Sequence, residues 1–295
     1  MSLPDHLMSA LHDAGLDPGY VEDLARAALE EDLAGGVDVT TEATVPPDQQ
    51  ATGDLVSRGE GVVAGLAVAE SVFVCAAGGE LEVSRPVADG TRVGRGTVLT
   101  TLTGPTWALL LAERTALNLL CRLSGIATIT RRWADALDGT GAVARDTRKT
   151  TPLLRELEKY AVRCGGGENH RMSLSDAALI KDNHVVAAGG ITEAFKAVTQ
   201  AFPDVPIEIE VDSVDGAVEA AEAGAELILL DNFTPFDVAR AVEAVAGRAR
   251  LEASGGLTFY AARTFGETGV DYLAIGELTH SAPILDIAFD LRPAD

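Results

Sequence analysis

The sequence predicts a two-domain α/β protein, a small N-terminal α+β domain followed by a C-terminal (β/α) barrel. Three observations carry that prediction. The first hundred residues mix an amphipathic helix with short alternating runs set between Gly-Gly and Asp-Gly turns. From residue 142 onward six β-rich runs alternate with amphipathic helical ones, at spacings of roughly 20 to 35 residues that suit βα units. No GxGxxG or Walker loop follows any of those runs, which favours a barrel over a doubly wound nucleotide-binding sheet.

In order along the chain, Val21, Leu24, Ala25, Ala28 and Leu29 recur at helical spacing within 20–32, and Gly35-Gly36 ends that helix. Strands are expected at 51–57, 80–86 and 96–102, with a helix at 67–75. Segment 88–96 has the look of a lipoyl- or biotin-carrier turn. No lysine lies between residues 1 and 148, however, so a covalent carrier is excluded and the segment reads as hairpins. A helical stretch from 106 to 137 leads into the barrel, whose strands are expected at 142–146, 177–181, 207–211, 227–230, 250–253 and 272–275. Helices are expected between them at 192–201, 214–223, 236–246 and 259–268, and the apolar segment 283–291 is expected to fold back on the first domain. The domains are placed at 1–114, with a return segment 281–295, and at 115–280.

Composition narrows the function classes. With 47% hydrophobic residues in 295, the chain can bury a sizeable core, yet apolar runs such as 62–69 fall far short of a span of ~20 residues. Neither a membrane span nor a secretory leader is expected. Cys75, Cys121 and Cys164 are odd in number and form no CxxC pair, so neither a disulfide framework nor a zinc knuckle is indicated, and a reducing cytoplasm is the expected compartment. A net charge of −22 repels nucleic acid and anionic membranes, which removes both as partners.

Against that background one window stands out. Residues 145–181 carry eight basic side chains against five acidic ones, including three of the four lysines in a chain that otherwise uses arginine. A lysine kept where arginine is habitual points to a use for a compact ammonium. The loop Cys164-Gly165-Gly166-Gly167-Glu168-Asn169-His170-Arg171 joins a mobile or sharply bent backbone to a proton-capable ring and a bidentate cation. Arg148, Lys149, Arg171 and Lys181 can converge only around something anionic, because such a cluster repels itself when empty.

In a (β/α) barrel the active face is built from the C-terminal ends of the strands. Here those ends read Asp146-Thr147-Arg148-Lys149-Thr150, Lys181-Asp182-Asn183-His184, Glu208-Ile209-Glu210-Val211-Asp212, Asp231-Asn232, Glu252-Ala253-Ser254-Gly255-Gly256 and Gly276-Glu277. Alternation along the third strand puts Glu208, Glu210 and Asp212 on one face, toward the barrel interior. These carboxylates need cations, either Arg and Lys from neighbouring strands in a salt-bridge lattice or a hard metal such as Mg²⁺ shared with Asp231. Ser254-Gly255-Gly256 and Gly276 would let backbone N–H groups approach a phosphate, although the bare tripeptide is more often only a turn. The residues alone thus describe a barrel enzyme for a phosphorylated sugar and a second, acidic substrate.

Taken together, Arg145-Asp146-Thr147-Arg148-Lys149-Thr150-Thr151-Pro152, Glu158-Lys159-Tyr160-Ala161-Val162, the loop 165–171 and Leu179-Ile180-Lys181-Asp182-Asn183-His184 resemble the quinolinate phosphoribosyltransferases. Leu229-Leu230-Asp231-Asn232-Phe233, Glu252-Ala253-Ser254-Gly255-Gly256 and Gly269-Val270-Asp271 extend the resemblance over nearly the whole chain. Departures at 36–41, 152–155 and 172–175 remove no charged pocket residue. The resemblance implies an open-sandwich N-terminal domain and an incomplete barrel of the type II phosphoribosyltransferase kind. It implies transfer of 5-phosphoribosyl from PRPP to quinolinate with decarboxylation, giving nicotinate mononucleotide, pyrophosphate and CO₂, a step of de novo NAD synthesis. By the same resemblance Arg148, His170, Arg171 and Lys181 hold the quinolinate carboxylates, and Lys149 and Lys181 face the PRPP phosphates. Glu210 and Asp231 take Mg²⁺ and the ribose hydroxyls, and Ser254, Gly255, Gly256 and Gly276 take the 5-phosphate. It also implies a cytoplasmic homodimer in which Arg114 enters the partner's pocket. Rival readings are a related transferase acting on nicotinate, a Schiff-base aldolase using Lys181, and an acidic binding protein without turnover.

Overall fold

The structure is a computed structural model and describes residues 2–79 and 81–293. The chain divides into two compact units, Met1–Ile129 with Glu156–Gly166 and Ala282–Asp295, and Thr130–Arg155 with Gly167–Ser281. No described helix is long and apolar enough to cross a membrane.

The first unit opens with helices α1 (Asp5–Asp13), α2 (Pro18–Leu33) and α3 (Val39–Thr44). The Asp17 and Asp38 carboxylates accept the first-turn N–H groups of α2 and α3, satisfying donors that a helix start leaves open. Strands β1 (Gln50–Ser57) and β2 (Gly61–Val62), helix α4 (Leu66–Ala77), and strands β3 (Glu82–Ser84), β4 (Arg92–Val93) and β5 (Val98–Pro105) follow. Helix α5 (Thr106–Leu137) is continuous over 32 residues. The predicted strand 80–86 starts at Glu80, which lies outside the described residues, as do the last two residues of the return segment 281–295.

After α5 come strand β6 (Val143–Arg145), helix α6 (Arg155–Cys164), strand β7 (Ala178–Ile180), and helices α7 (Asp182–Ala188) and α8 (Ile191–Ala201). Then β8 (Ile207–Val211), α9 (Val214–Glu222), β9 (Leu227–Asp231), α10 (Pro235–Val245) and β10 (Arg250–Ser254) alternate. A 3₁₀ turn at Phe259–Ala261, helix α11 (Ala262–Gly266), strand β11 (Tyr272–Ala274), helix α12 (Glu277–His280) and strand β12 (Ile287–Pro293) complete the chain.

The first unit is an antiparallel sheet in the order β12-β1-β5-β3. The return segment folds back as expected, pairing β12 with β1 from Ala51↔Pro293 to Ser57↔Ile287. One continuous core joins Leu55, Leu99 and Leu102 of the sheet to Phe73 of α4, Leu109, Leu117 and Leu120 of α5, and Leu285 and Ile287 of the return. At Gly125 of α5 the returning backbone passes so close that a Cβ would overlap Pro283 O and lie 2.8 Å from Ile284 Cα. This packing explains why the unit boundary falls at Ile129 and not at the expected 114/115. Much of α5 beyond Arg114 belongs to the first core, and α6 joins the same unit through buried Leu157, Ala161 and Val162, with Tyr160 Oη donating to Asp89 at 2.7 Å.

The second unit is a parallel sheet in the order β6-β11-β10-β9-β8-β7. The last barrel strand pairs with the first, Leu273↔Ala144, as the strands of a barrel do. No ladder joins β6 to β7 among the described residues. Instead an isolated parallel bridge, Arg145↔Glu168, covers β6 at that seam, so the barrel is incomplete. The outer helices present Ala217, Ala220, Val238 and Ala241 to the sheet, the apolar stripe their periodicity predicts. The expected helix at 259–268 is shorter, a 3₁₀ turn followed by one turn of α11, and α1, α3, α6, α7 and α12 were not among the predicted elements.

Candidate active site

The C-terminal ends of the barrel strands surround a cavity of about 840 Å³ within the second unit, and eleven of the twelve predicted site residues line it. They are Arg148, Lys149, His170, Arg171, Lys181, Glu210, Asp231, Ser254, Gly255, Gly256 and Gly276. The twelfth, Arg114, is exposed on α5 in the first unit. Asp212, the last of the three alternating carboxylates, is exposed and lies outside the cavity lining.

Three of the cations are placed by specific local devices. Just past β6, buried Asp146 accepts the His170 N–H at 2.9 Å and the Asn169 side-chain amide at 2.6 Å, tying loop 165–171 to the strand end. Arg171 Nη1 donates to Ala177 O at 3.0 Å. Burial first, and then the charge of Arg148, push the Arg171 guanidinium below its ordinary pKa. Two guanidiniums held close enough to repel form a pocket prepared for an anion. Thr147 Oγ1 accepts the Lys149 N–H at 3.0 Å, and Thr279 Oγ1 donates to Lys149 O at 2.8 Å. At the start of α7 the Lys181 N–H donates to His184 Nδ1 at 3.0 Å, while Lys181 Nζ reaches Glu210 Oε2 at 2.7 Å. This last pair joins a β8 carboxylate to a neighbouring cation, one of the two arrangements the sequence left open.

The turn after β10 carries two consecutive glycines of positive φ, Gly255 (+94°) and Gly256 (+59°), a backbone that residues with a Cβ rarely adopt. The Asn232 N–H donates to Ser254 O at 2.8 Å, so close that a Cβ on Gly255 would overlap Asn232 Oδ1 and lie 2.7 Å from Cγ. At Gly276 a Cβ would lie 2.9 Å from His280 Nε2 and 3.2 Å from Lys149 Cδ, so Lys149 passes over this glycine beside the His280 ring.

His170 lines the cavity but commits its ring inward. Its Nδ1 accepts the Arg171 N–H at 2.8 Å, and its Nε2 lies 2.6 Å from Glu208 Oε2. Below it the barrel interior holds charge where branched aliphatic side chains usually pack. Arg145 of β6, Glu208 of β8 and Glu252 of β10 come from alternate strands, with Arg145 paired to Glu252 and stacked 4.4 Å from the Tyr272 ring centre. Burial first, and the Glu208 charge second, push the fully buried Glu252 carboxyl up to about 7. Alternation along β8 already turns Glu208 inward; counting back two residues from Ser254 places Glu252 on the inward face of β10 in the same way. Glu277 and His280 also line the cavity, and Glu277 Oε1 accepts from buried Trp133 Nε1 at 2.8 Å.

Two acidic groups could hold a cation. Glu210 and Asp231, on adjoining strands and open to the cavity, offer the hard oxygen donors that suit Mg²⁺, and the Lys181 ammonium now on Glu210 is half-exposed and can give way to it, unlike the buried partners of the next group. His170, Glu208 and Glu252 also bring ligand atoms within 4.8 Å of one another. That trio fits a metal poorly, because Arg145 already pairs with Glu252 and the imidazole already bonds Glu208.

The chain matches the family models for the N-terminal domain of quinolinate phosphoribosyl transferase over residues 38–124 and for the C-terminal domain over 126–290. It is 50% identical to the carboxylating nicotinate-nucleotide pyrophosphorylase of Mycobacterium leprae over 273 residues, 91% of this chain and 96% of that protein. It is 37% identical to a mitochondrial decarboxylating quinolinate phosphoribosyltransferase of Nicotiana glauca, over 93% of this chain and 83% of the plant protein. Among solved structures, NadC of Streptococcus pyogenes superposes with a TM-score of 0.90 at 40% identity, covering 95% of this chain and 99% of that one.

Proposed function

The chain belongs to the quinolinate phosphoribosyltransferase family, and from that premise we propose that its barrel pocket transfers 5-phosphoribosyl from PRPP to quinolinate and releases CO₂ and pyrophosphate. The product, nicotinate mononucleotide, places the enzyme in NAD biosynthesis. The observation that carries the reading is the convergence of Arg148, Lys149, Arg171 and Lys181 with Glu210 and Asp231 in one cavity of a chain whose net charge is −22.

Arg148 and Arg171 pair with the two ring carboxylates, since a planar guanidinium grips a carboxylate through two parallel hydrogen bonds. The turn 254–256 and Gly276 receive the 5-phosphate, and Lys149 and Lys181 face the pyrophosphate. As that group departs, positive charge grows on the anomeric carbon, and the Glu210 and Asp231 carboxylates stabilise it from fixed positions. Glu210 and Asp231 would also hold Mg²⁺, which when bound would supply positive charge to offset that of the leaving pyrophosphate. Quaternising the ring nitrogen makes loss of the adjacent carboxylate favourable, because the cationic ring stabilises the carbanion formed. The protein's contribution to that step is orientation and exclusion of water. Arg114, exposed on α5, is assigned to the pocket of a second copy in a homodimer, and a cytoplasmic setting belongs to the same reading.

The test is a coupled assay with PRPP, Mg²⁺ and either quinolinate or nicotinate, following nicotinate mononucleotide and CO₂. Product from quinolinate alone, lost on chelation of Mg²⁺, is expected. Product from nicotinate alone would remove the assigned roles of Arg148 and Arg171.

A further inference from the structure

The geometry points to Glu208 as a positioning residue that acts through His170 to hold Arg171 in place, with His170 serving as a strut and not as a ligand of the substrate. Three observations carry this. The Arg171 backbone N–H donates to His170 Nδ1 at 2.8 Å, so that nitrogen bears a lone pair and the ring proton sits on Nε2. Nε2 then donates to Glu208 Oε2 at 2.6 Å, beneath a ring whose side chain is only 10% exposed. Both ring nitrogens therefore bond protein atoms, and neither offers an N–H to the cavity.

The second link is the load this strut bears. Arg171 lies near Arg148, and the two charges push each other apart. What resists is the tie of the backbone at 169–171 to the barrel. Asp146 holds the Asn169 amide and the His170 N–H, and Glu208 holds the imidazole that receives the Arg171 N–H. Glu208 is 4% exposed on β8 and so is fixed by the sheet itself. A ring turned about its Cβ–Cγ bond would release the Arg171 N–H and let the guanidinium relax away from Arg148. Misplacement of about 1 Å at such a group can cost on the order of 100-fold in rate.

The third link is the choice of a carboxylate. Glu208 Oε1 is buried without a hydrogen-bond partner, a cost that an apolar residue at this position would avoid. Its other oxygen, Oε2, takes the imidazole hydrogen bond, so the buried carboxylate serves His170.

The kinetic consequence rests on the transfer reaction proposed above, and the spectroscopic one does not. The experiment compares full-length wild type, Glu208→Gln and Glu208→Leu. Histidine-selective ¹⁵N labelling and long-range ¹H–¹⁵N spectra read the His170 tautomer, with and without quinolinate. The expected result is an Nε2–H tautomer that quinolinate leaves unchanged in the wild type and in Glu208→Gln, whose amide oxygen can accept the same proton. Glu208→Gln should keep the quinolinate KM within about threefold. Glu208→Leu should lose the single tautomer and raise the quinolinate KM by about 10-fold or more, with the PRPP KM unchanged. An Nδ1–H tautomer, or a switch of tautomer when quinolinate binds, would make His170 a direct ligand and overturn the inference. So would an unchanged quinolinate KM in Glu208→Leu, or a loss in Glu208→Gln equal to that in Glu208→Leu. If Glu208→Leu does not fold, the wild-type tautomer and the Glu208→Gln kinetics still decide. A wild type inactive on quinolinate with the Nε2–H tautomer intact would remove the proposed reaction and leave the strut standing.

Discussion

Replacing Glu252 with glutamine isolates the cost of a buried carboxylate in the barrel floor. The Glu252 carboxyl rises from 4.5 to about 7, through burial first and the neighbouring Glu208 charge second. Between those values the folded chain holds a proton that the unfolded chain has released, so the contribution is full below 4.5 and is lost as pH climbs through 7. At ~1.4 kcal/mol per unit the whole shift contributes on the order of 3 to 4 kcal/mol. The sequence pI of 4.5 makes the acid end unsuitable for solution work, so the useful window runs from about pH 5.5 upward. Over that window the wild type should lose about 2 kcal/mol relative to Glu252→Gln, whose amide oxygen still accepts from Arg145 and does not ionise. Urea unfolding followed by Trp133 fluorescence in a Trp107→Phe background reads the second unit, where Trp133 is fully buried. The stability of Glu252→Gln minus that of the wild type should climb most steeply below pH 7 and level off above it. A flat difference across the window would show that Glu252 is ionised throughout, and the account of the floor would fail.

Three further outcomes follow from the geometry. Arg171→Ala should weaken quinolinate binding by about 2 to 5 kcal/mol by titration calorimetry, the range for truncating one partner of a buried charge pair, and unchanged affinity would remove Arg171 from the carboxylate site. Gly255→Ala meets both a left-handed φ of +94° and the Asn232 side chain, so the PRPP KM should rise while quinolinate affinity holds, and a normal PRPP KM would refute the phosphate assignment. Gly125→Ala gains about 1 kcal/mol of helix propensity but drives a methyl into the backbone of Pro283 and Ile284. Its melting temperature should fall, and a rise would mean that the return segment packs less tightly than described.

Much of the architecture was legible because it rests on local pattern. The period of two at 207–211 and the 3.6-residue period across 106–137 coincide with β8 and α5, since both elements bury a regular stripe. Helix α6 was harder to see. Its sequence Arg-Glu-Leu-Glu-Lys-Tyr-Ala-Val-Arg-Cys is crowded with charge, and only packing in the first unit reveals that Glu158 and Lys159 are fully buried. Helix α7 escaped for a similar reason, because its seven residues follow directly on Lys181 within a motif read for its charged groups. The pocket cations and the glycine turn were legible as well, since a positive window in a chain of −22 and a Ser-Gly-Gly after a strand are unusual in their own right.

The amino-acid order by itself determined the barrel class, the family and eleven of the residues that line the pocket, because these depend on periodicity, charge and motif spacing along the chain. Only the tertiary structure decided which groups face one another. It turned His170 onto Glu208, left Asp212 outside the cavity, stacked Arg145, Glu208 and Glu252 as a buried charged floor, and drew α6 into the first unit. The physical reason is that hydrogen bonds and desolvation act over a few ångströms in space. Groups such as Arg145 and Glu252, 107 residues apart in sequence, acquire their charge states and partners only when the sheet brings them together.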